Sequence, residues 1–186
     1  MVEDSLDDSV GNLSPEDVSK SVSKFKSEIV KLNENLKRLR FNEQVLNLNG
    51  LNISESHKYD VVIIDSPCSG IGTIRRNPEI LFKKIPPNFD KLNDMQINLL
   101  NKASKLLKKG GVIIYLVCSF LNEETKNIKA KFLEQHKNFS QLKFQSNKLN
   151  HYRRFIDIDG DIFCIPDQYK NYMIDGFYGV KFIKND

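Results

Sequence analysis

Two cysteines follow two apolar segments that have the composition of buried strands. Cys68 comes shortly after Tyr59–Asp65 (YDVVIID), and Cys118 directly follows residues 112–117 (VIIYLV). Ligands of a parallel sheet bind beyond the carboxyl ends of its strands. If the two segments are neighbouring parallel strands, they bring the two thiols and the carboxylate of Asp65 to one edge of the sheet.

Two thiols and a carboxylate suit one reaction in particular, the methylation of cytosine at C5. C5 is a poor nucleophile, but attack of a thiolate on C6 pushes electron density to C5, which can then take a methyl group from a sulfonium donor. A carboxyl group at the N3/N4 edge of the base can stabilise the developing charge, and a second thiol can assist release. A lone cysteine at a strand end is more often a small buried hydrophobe, so the flanking residues must decide.

The residues around both cysteines resemble motifs of the Nol1/Nop2/Sun family of RNA cytosine-5 methyltransferases. Residues 65–70 (DSPCSG), followed by Gly72 and residues 75–78 (RRNP), resemble the family's fourth motif. Residues 117–119 (VCS), followed by residues 122–124 (NEE), resemble its sixth motif, which is usually TCS and then PEEN. Each of these motifs therefore contains one of the two cysteines.

A third match lies near the end of the chain, where residues 175–178 (DGFY) resemble the family's late DGFF motif. The resemblance covers residues 35–184, most of the chain, and this combination of motifs is highly specific. Two departures are mild: Val117 replaces the usual threonine of the sixth motif, and Leu121 stands where proline is common.

The resemblance implies a role for each matched residue. Cys118 would be the nucleophile that attacks C6, and Cys68 would promote release of the product. Asp65 would contact both the cofactor and the target base, while Arg75 and Arg76 would meet the RNA backbone. The expected partner is rRNA or tRNA, whose target base must leave its stack to reach the pocket.

The resemblance also implies S-adenosylmethionine as the cofactor, with Asp65, Pro67 and Asn49 among its contacts. Much of the family's donor site has no counterpart, because the glycine-rich loop of the first motif is absent. Ser23 stands at the position of the second motif's acidic residue, and Asn49 replaces the aspartate of the third. We therefore expect weak donor binding by a chain that is a fragment, a degenerate copy, or completed by an upstream segment or partner chain.

Helical periodicity predicts three helices. The first begins after a serine cap at Ser14, with proline at the first helical position, and ends near Arg40. The second covers residues 92–107 and ends at the glycines of residues 110–111, and the third is capped by Asn122. Further strands are predicted at the apolar runs at residues 45–48, 162–165 and 177–183.

Strand, crossover helix, strand and helix in that order predict an α/β protein with a Rossmann-like methyltransferase fold that lacks its first strands. Residues 1–13 are expected to be an acidic disordered tail, and residues 14–186 the C-terminal part of a catalytic domain. We expect a parallel-majority sheet with helices on both faces and an antiparallel strand at residues 177–183. Without a neighbouring first strand, Tyr59–Asp65 would be an exposed apolar edge that favours self-association.

Composition sets wide limits on the function. The net charge of +4 permits a nucleic-acid partner without requiring one. No apolar run is long enough to span a bilayer and no secretory signal is present, so we expect an intracellular protein without a membrane partner. The three cysteines lack the close spacing of a zinc site or a disulfide framework, so no metal is expected.

Two rival hypotheses remain open from the sequence. The first is a degenerate, non-catalytic RNA-binding relative with the same fold, favoured by the missing glycine-rich loop and disfavoured by the retained cysteines. The second is an amino-methyltransferase, which would carry an Asn/Asp-Pro-Pro-aromatic loop after the strand. Residues 65–68 (DSPC) lack the aromatic residue of that loop, so we rank this hypothesis last.

Overall fold

The computed structural model describes residues 15–43, 45–82, 86–145, 150–169 and 172–185, and the acidic stretch predicted at residues 1–13 and the cap at Ser14 lie outside them. The chain divides into two compact units, residues 1–49 and residues 50–186. The first unit contains helix α1 (Pro15–Arg38), which begins on the predicted proline and ends two residues before the predicted end.

The strand predicted at residues 45–48 is wrong, because these residues form no strand. Leu46 and Leu48 are about half exposed, at 54% and 44%. No strand among the described residues pairs with this segment. An apolar run becomes a strand only when its backbone N–H and C=O groups find a partner, so this segment stays irregular.

The second unit contains two helices, seven strands and several short 3₁₀ turns among its described residues. The helices are α2 (Phe89–Leu106) and α3 (Lys126–Gln135). The strands are β1 (Tyr59–Asp65), β2 (Leu107–Val117), β3 (Phe139–Gln141), β4 (Ile162–Cys164), β5 (Asp167–Tyr169), β6 (Tyr172–Ile174) and β7 (Phe177–Lys184). The 3₁₀ turns are Gly50–Asn52, Ile71–Thr73, Pro78–Phe82, Asn122–Glu124 and Asn150–Phe155.

The main sheet is mixed, with strand order β1-β2-β7-β3 and β4 also paired to β7. β1 and β2 are parallel, whereas β2, β3 and β4 are all antiparallel to β7. The predicted antiparallel final strand and the parallel majority are both confirmed, because β1, β2, β3 and β4 run in one direction and β7 runs in the other. β7 takes the place beside β2, so each later pairing of this sheet is made to an antiparallel strand.

The core lies on one face of this sheet, under both helices. Phe132 of α3 packs its ring against Phe182 of β7, with centroids 4.7 Å apart, and Leu100 of α2 belongs to the same buried cluster. Both helices of this unit lie on that face, and the presence of helices on both faces of the sheet stays a prediction. The connections β1–α2–β2 and β2–α3–β3 run across the sheet in the same direction, and right-handed crossovers in one direction place their helices on one face.

β2 begins earlier than predicted, because α2 ends at Leu106 and the strand starts at Leu107. Tyr59 pairs with Leu107 and Val61 with Val112, so residues 108–111 form a bulge against the shorter β1. Gly110 has a φ of 71° in this bulge, a conformation that glycine adopts without strain. The two glycines predicted to end the helix therefore bend a strand instead.

The third helix also begins later than predicted. Asn122 opens a 3₁₀ turn, and α3 follows from Lys126 with Thr125 at its cap position. Ile128 and Phe132 are buried as the periodicity predicts. The 3₁₀ turn directs Glu124 toward the protein interior, a placement that the predicted helix start would not give.

β1 lies at the edge of the sheet, as predicted for a fold without its first strand. Ile64 faces the core, whereas Val61 and Ile63 point to the other face and are 50% and 64% exposed. Self-association through this apolar edge stays a prediction. Among the described residues, no helix has both the length and the apolar character needed to cross a membrane.

Candidate active site

The carboxyl ends of β1 and β2 bring together the three residues singled out for chemistry. Asp65 is paired with Leu116 in the parallel ladder, and Ser66 N–H donates to the carbonyl of Leu116 at 2.9 Å. Cys118 leaves β2 just beyond this point, and its backbone N–H hydrogen-bonds the sulfur of Cys68. We call Asp65, Cys68 and Cys118 the cysteine rim.

The thiol of Cys118 is half-buried and surrounded by charges of both signs. Burial is the largest influence and raises its pKa above the usual value. The negative charge of Asp65 raises the pKa further, the guanidinium of Arg76 lowers it, and Asp175 raises it. Cys118 is therefore a protonated thiol at neutral pH in the absence of a partner, and Arg76 is the cation placed to favour its thiolate.

Cys68 is half-buried in a different environment. Burial again raises the pKa of the thiol most, and the backbone N–H groups of Gly70 and Cys118 oppose this by hydrogen-bonding the sulfur. The charges of Glu124 and of a Cys118 thiolate raise the pKa. Within the described part of the chain no cation contributes to the pKa of Cys68, in contrast to the Arg76 guanidinium beside Cys118.

Glu124 supports the loop that carries Cys68 from below. Its side chain is fully buried, and it accepts hydrogen bonds from the backbone N–H of Ser69 at 2.7 Å and from the Ser69 hydroxyl at 2.6 Å. Gln96 of α2 donates to the carbonyl of Pro67 at 2.9 Å and, more weakly, to the Glu124 carboxylate at 3.4 Å. The hydroxyl of Tyr115 donates to the Glu124 carbonyl at 2.9 Å, so the loop, the turn, the sheet and α2 are tied together.

Two glycines allow the loops of the cysteine rim to cross in close contact. Gly72 donates its N–H to the carbonyl of Cys118 at 3.0 Å and accepts from the N–H of Gly176 at 2.7 Å. A Cβ at Gly72 would lie 2.1 Å from the Gly176 oxygen and 2.9 Å from the Cys118 oxygen. A side chain cannot fit there, so the glycine is required by the backbone contact itself.

Both arginines of the fourth motif bind the same carboxylate. The guanidinium Nε of Arg75 donates to Asp175 at 3.2 Å, and Arg76 forms a short hydrogen bond to the other oxygen of Asp175. The Arg75 side chain is 38% exposed and that of Arg76 is 58% exposed. Two cations against one anion leave a net positive charge at the surface next to Cys118.

Asp65 also borders an open cavity at the edge of β1, between this strand and α2. The cavity measures about 210 Å³, and its walls include Gly50, Ile53, Ile63 and Leu99. Pro67, predicted to contact the cofactor, is exposed beyond the end of β1. Asn49, also predicted to contact the cofactor, is the last residue of the first unit, whereas the cavity residues belong to the second.

A second group of carboxylates could in principle hold a metal ion. Oxygen atoms of Asp157, Asp159 and Asp161 lie within 4.8 Å of one another. Lys126 pairs with Asp157 at 3.1 Å and with Asp159 at 3.0 Å, and Lys129 pairs with Asp161. These two ammonium groups offset two of the three negative charges, and we call the three aspartates and two lysines the aspartate–lysine cluster.

Three residues that shape this site, Glu124, Asp175 and Gln96, were not predicted to have a role in it. Glu124 and Asp175 were both inside recognised motifs, but nothing local indicates that one is buried under Cys68 and the other bridges two arginines. Gln96 looks like an ordinary polar residue of an amphipathic helix and is fully buried. Its burial follows from the packing of α2 against the Cys68 loop, which the sequence alone does not predict.

The chain resembles known methyltransferases in sequence. The profile of the family described as 16S rRNA methyltransferase RsmB/F matches residues 16–183. The probable ribosomal RNA small subunit methyltransferase B of Bacillus subtilis strain 168 is 30% identical over 125 residues, which is 67% of this chain and 27% of that relative. The chain therefore spans about a quarter of the length of this curated relative.

Solved structures share the fold. The crystal structure of a protein named PH0851 superposes with a TM-score of 0.73 at 25% identity, over 86% of this chain and 35% of that one. The crystal structure of NSun6 from Pyrococcus horikoshii with SFG has a TM-score of 0.66 at 20% identity, over 87% of this chain and 40% of that one. The predicted Rossmann-like methyltransferase fold, present in part, is thereby confirmed.

Proposed function

The chain belongs to the 16S rRNA methyltransferase RsmB/F family, and from this premise we propose that it carries the reactive thiols of an RNA cytosine-5 methyltransferase. The observation that carries the proposal is the parallel pairing of β1 with β2, which delivers Asp65, Cys68 and Cys118 to one rim. The family description favours rRNA over tRNA as the substrate.

Cys118 is proposed as the nucleophile. As a thiolate it attacks C6 of the flipped cytosine, and the electron density that reaches C5 makes this carbon able to accept a methyl group. Because the pKa of the free thiol is raised, the target cytosine or the groups around it must remove the thiol proton as the C6–S bond forms. Arg76, which favours the thiolate, is the residue of this chain placed to help.

Asp65 is proposed to assist the attack of Cys118 on C6, and Cys68 is proposed to act after it. Asp65 is exposed at the end of β1, so its carboxyl group can reach the N3/N4 edge of a base held against Cys118. Cys68 is proposed to promote release of the methylated base, in which the proton on C5 is lost and the bond between C6 and the Cys118 sulfur breaks, so that the C5–C6 double bond returns and the thiolate is freed. Its sulfur is close enough to Cys118 to hydrogen-bond the backbone N–H of that residue, which supports a shared step.

S-adenosylmethionine, whose bound form supplies an electrophilic methyl group, is the proposed methyl donor. Asp65, Pro67 and Asn49 are its proposed contacts in this chain. The cavity beside Asp65, at about 210 Å³, is smaller than the range of roughly 300–1,000 Å³ that is usual for a small-molecule site. The residues of this chain therefore fit part of the donor, and an upstream segment or a partner chain would supply the rest.

RNA is proposed to approach across Arg75 and Arg76. Their shared contact with Asp175 holds both guanidinium groups at the surface beside Cys118 with one positive charge in excess. Phosphate oxygens can bind the remaining N–H groups of the two arginines without breaking the contact with Asp175. Such contacts would position the strand and would not select its sequence.

A covalent trap tests the roles of the two thiols. The chain, supplemented with a donor-binding segment from a relative, is mixed with rRNA and S-adenosylmethionine, and protein–RNA adducts are resolved by denaturing gel electrophoresis. We expect Cys68→Ala to accumulate an adduct that Cys118→Ala does not form. The double variant should match Cys118→Ala, because the nucleophile acts first. RNA that contains 5-azacytidine provides an independent trap for the same thiol.

The outcomes separate the competing hypotheses. Crosslinking of Cys118→Ala through Cys68 would show that the two roles are reversed. If neither thiol crosslinks while the supplemented protein binds both donor and RNA, the methylation proposal fails and the non-catalytic RNA-binding relative is favoured. Cys164→Ala serves as the matched control, because this third free cysteine lies on β4 and belongs to neither motif.

A further inference from the structure

Glu124 is a buried carboxylate whose hydrogen bonds all point to one loop. Both of its oxygens accept from Ser69, and Gln96 adds a weaker bond to the same oxygen that accepts from the Ser69 backbone. The Ser69 hydroxyl already accepts from the N–H of Ile71 at 3.3 Å, so its own proton is free to go to Glu124. Glu124 acts here only as an acceptor, which is the pattern of an ionised carboxylate.

The charge of Glu124 has no opposite charge beside it. Among the described residues, no lysine, arginine or histidine pairs with Glu124, although its side chain is fully buried. Buried carboxylates usually have a cationic partner, because desolvation of an unpaired charge is costly. Retention of such a charge against neutral donors alone indicates that its field has a use nearby.

The charge of Glu124 acts on the thiol of Cys68, one residue before Ser69. The described groups whose charges act on this thiol are Glu124, from the 3₁₀ turn, and Cys118, from the end of β2. Tyr115 of β2 is influenced by the charges of Glu124 and Cys68, and burial keeps its hydroxyl protonated with a strongly raised pKa. Glu124 is therefore the one permanent charge among the described groups that act on Cys68.

We propose that Glu124 is a positioning residue that keeps Cys68 a thiol and so reserves it for the release step. It holds the Cys68 loop in place through Ser69 and sets a buried negative charge beside Cys68. Charges of both signs act on Cys118, from Asp65, Arg76 and Asp175. Glu124 therefore opposes a thiolate at Cys68 with no described cation to offset it. The consequence for release of the base rests on the proposed function, but the effect of Glu124 on the Cys68 thiol does not.

The test measures the two thiols without RNA or donor, so its failure is distinct from failure of the methylation proposal. The full chain is treated with iodoacetamide between pH 6 and 10, and the modification of each cysteine is followed by mass spectrometry. Glu124→Gln keeps the shape of the side chain and can still accept from the Ser69 N–H, so it removes mainly the charge. Glu123→Gln, an exposed neighbour in the same 3₁₀ turn, is the matched control.

We expect Glu124→Gln to increase the alkylation rate of Cys68 at neutral pH by roughly threefold or more, with Cys118 and Cys164 unchanged. Glu123→Gln should leave all three rates as they are. Equal Cys68 profiles in Glu124→Gln and the natural chain would overturn the proposal. So would a parallel increase at Cys68 and Cys118, since that would mean that the charge does not distinguish the thiols.

A second variant covers the case in which Glu124→Gln opens the fold, which faster labelling of Cys164 would reveal. Glu124→Asp keeps the charge and shortens its reach to Ser69. The proposal then requires Cys68 to stay as slow, relative to Cys118, as in the natural chain at neutral pH. Faster labelling of Cys68, relative to Cys118, in Glu124→Asp than in the natural chain would overturn it.

Discussion

A buried carboxylate lies below the cysteine rim and another lies in the aspartate–lysine cluster, but their charges are balanced differently. Asp161 in the cluster pairs with Lys129 and accepts from the Tyr178 hydroxyl at 2.8 Å and from Gln141. Glu124 below the rim accepts from neutral donors, and no cation pairs with it among the described residues. A neutralised carboxylate contributes to the fold alone, whereas an un-neutralised one can still act on a neighbour.

The comparison explains why the more metal-like group is the less promising site for chemistry. Three aspartates lie within five residues, but two lysines of α3 offset most of their charge. The rim looks ordinary by composition, with one exposed aspartate and two cysteines. Its Cys118 thiol meets charges of both signs, so binding of a charged partner can shift its pKa.

The largest expected effect on stability is in the cluster. Asp161→Ala leaves the largely buried Lys129 with Asp159, 4.0 Å away, in place of its close partner, and removes the acceptor of Tyr178, so we expect the free energy of unfolding to fall by about 3–5 kcal/mol. Urea denaturation followed by circular dichroism measures it. Asp159→Ala is the control, since this carboxylate is 46% exposed and its loss should cost much less. Equal losses in the two variants would show that burial does not set the difference.

A smaller loss of stability is expected when a side chain is added at Gly72, where the loops of the cysteine rim cross in close contact. Gly72→Ala pushes a methyl group against the carbonyls of Gly176 and Cys118, so we expect a cost of about 1–3 kcal/mol in the same denaturation experiment. Alkylation of Cys118 should also become faster as the loops separate. In the control, Gly50→Ala, the new methyl group meets only Leu99 at 3.4 Å, and neither quantity should change.

The smallest effect concerns the acidity of Cys118. Asp65 raises the pKa of this thiol, so Asp65→Asn should lower it, increase the thiolate fraction at neutral pH and speed alkylation of Cys118 several-fold. Arg76→Gln should slow alkylation, because it removes the cation that lowers the pKa. Asp60→Asn, which changes an exposed residue of the same strand paired to Lys108, is the control. An unchanged rate in Asp65→Asn would mean that the charge of Asp65 does not raise the pKa of Cys118.

The sequence predicted those parts of the molecule that depend on local pattern. The β-branched runs of β1 and β2 and the apolar stripe of α2 between them specify a parallel pair, and a parallel pair requires that Cys68 and Cys118 share a rim. The same reasoning predicted the final antiparallel strand, β7. The edge position of β1 followed from the absent first strand.

The errors arise where distant residues decide the outcome. Residues 108–111 were predicted to end a helix because of their lysines and glycines, but β1 draws them into a bulge of β2. The burial of Glu124 depends on Ser69, which is 55 residues away along the chain, and Asp175 meets Arg75 across 100 residues. Periodicity cannot report such contacts, because it records only which face of its own element a residue occupies.

The crossing of Gly72 with Gly176 also sets an order on the assembly of the site. β7 lies between β2 and β3 in the sheet, and Gly176, just before it, donates its N–H to the carbonyl of Gly72, which itself donates to the carbonyl of Cys118. During synthesis both cysteines emerge long before β7, so the contact of Gly72 with Gly176 can form only once this strand inserts. Contacts of such long range form slowly and late. The nascent chain therefore carries both cysteines before the crossing of their loops is complete.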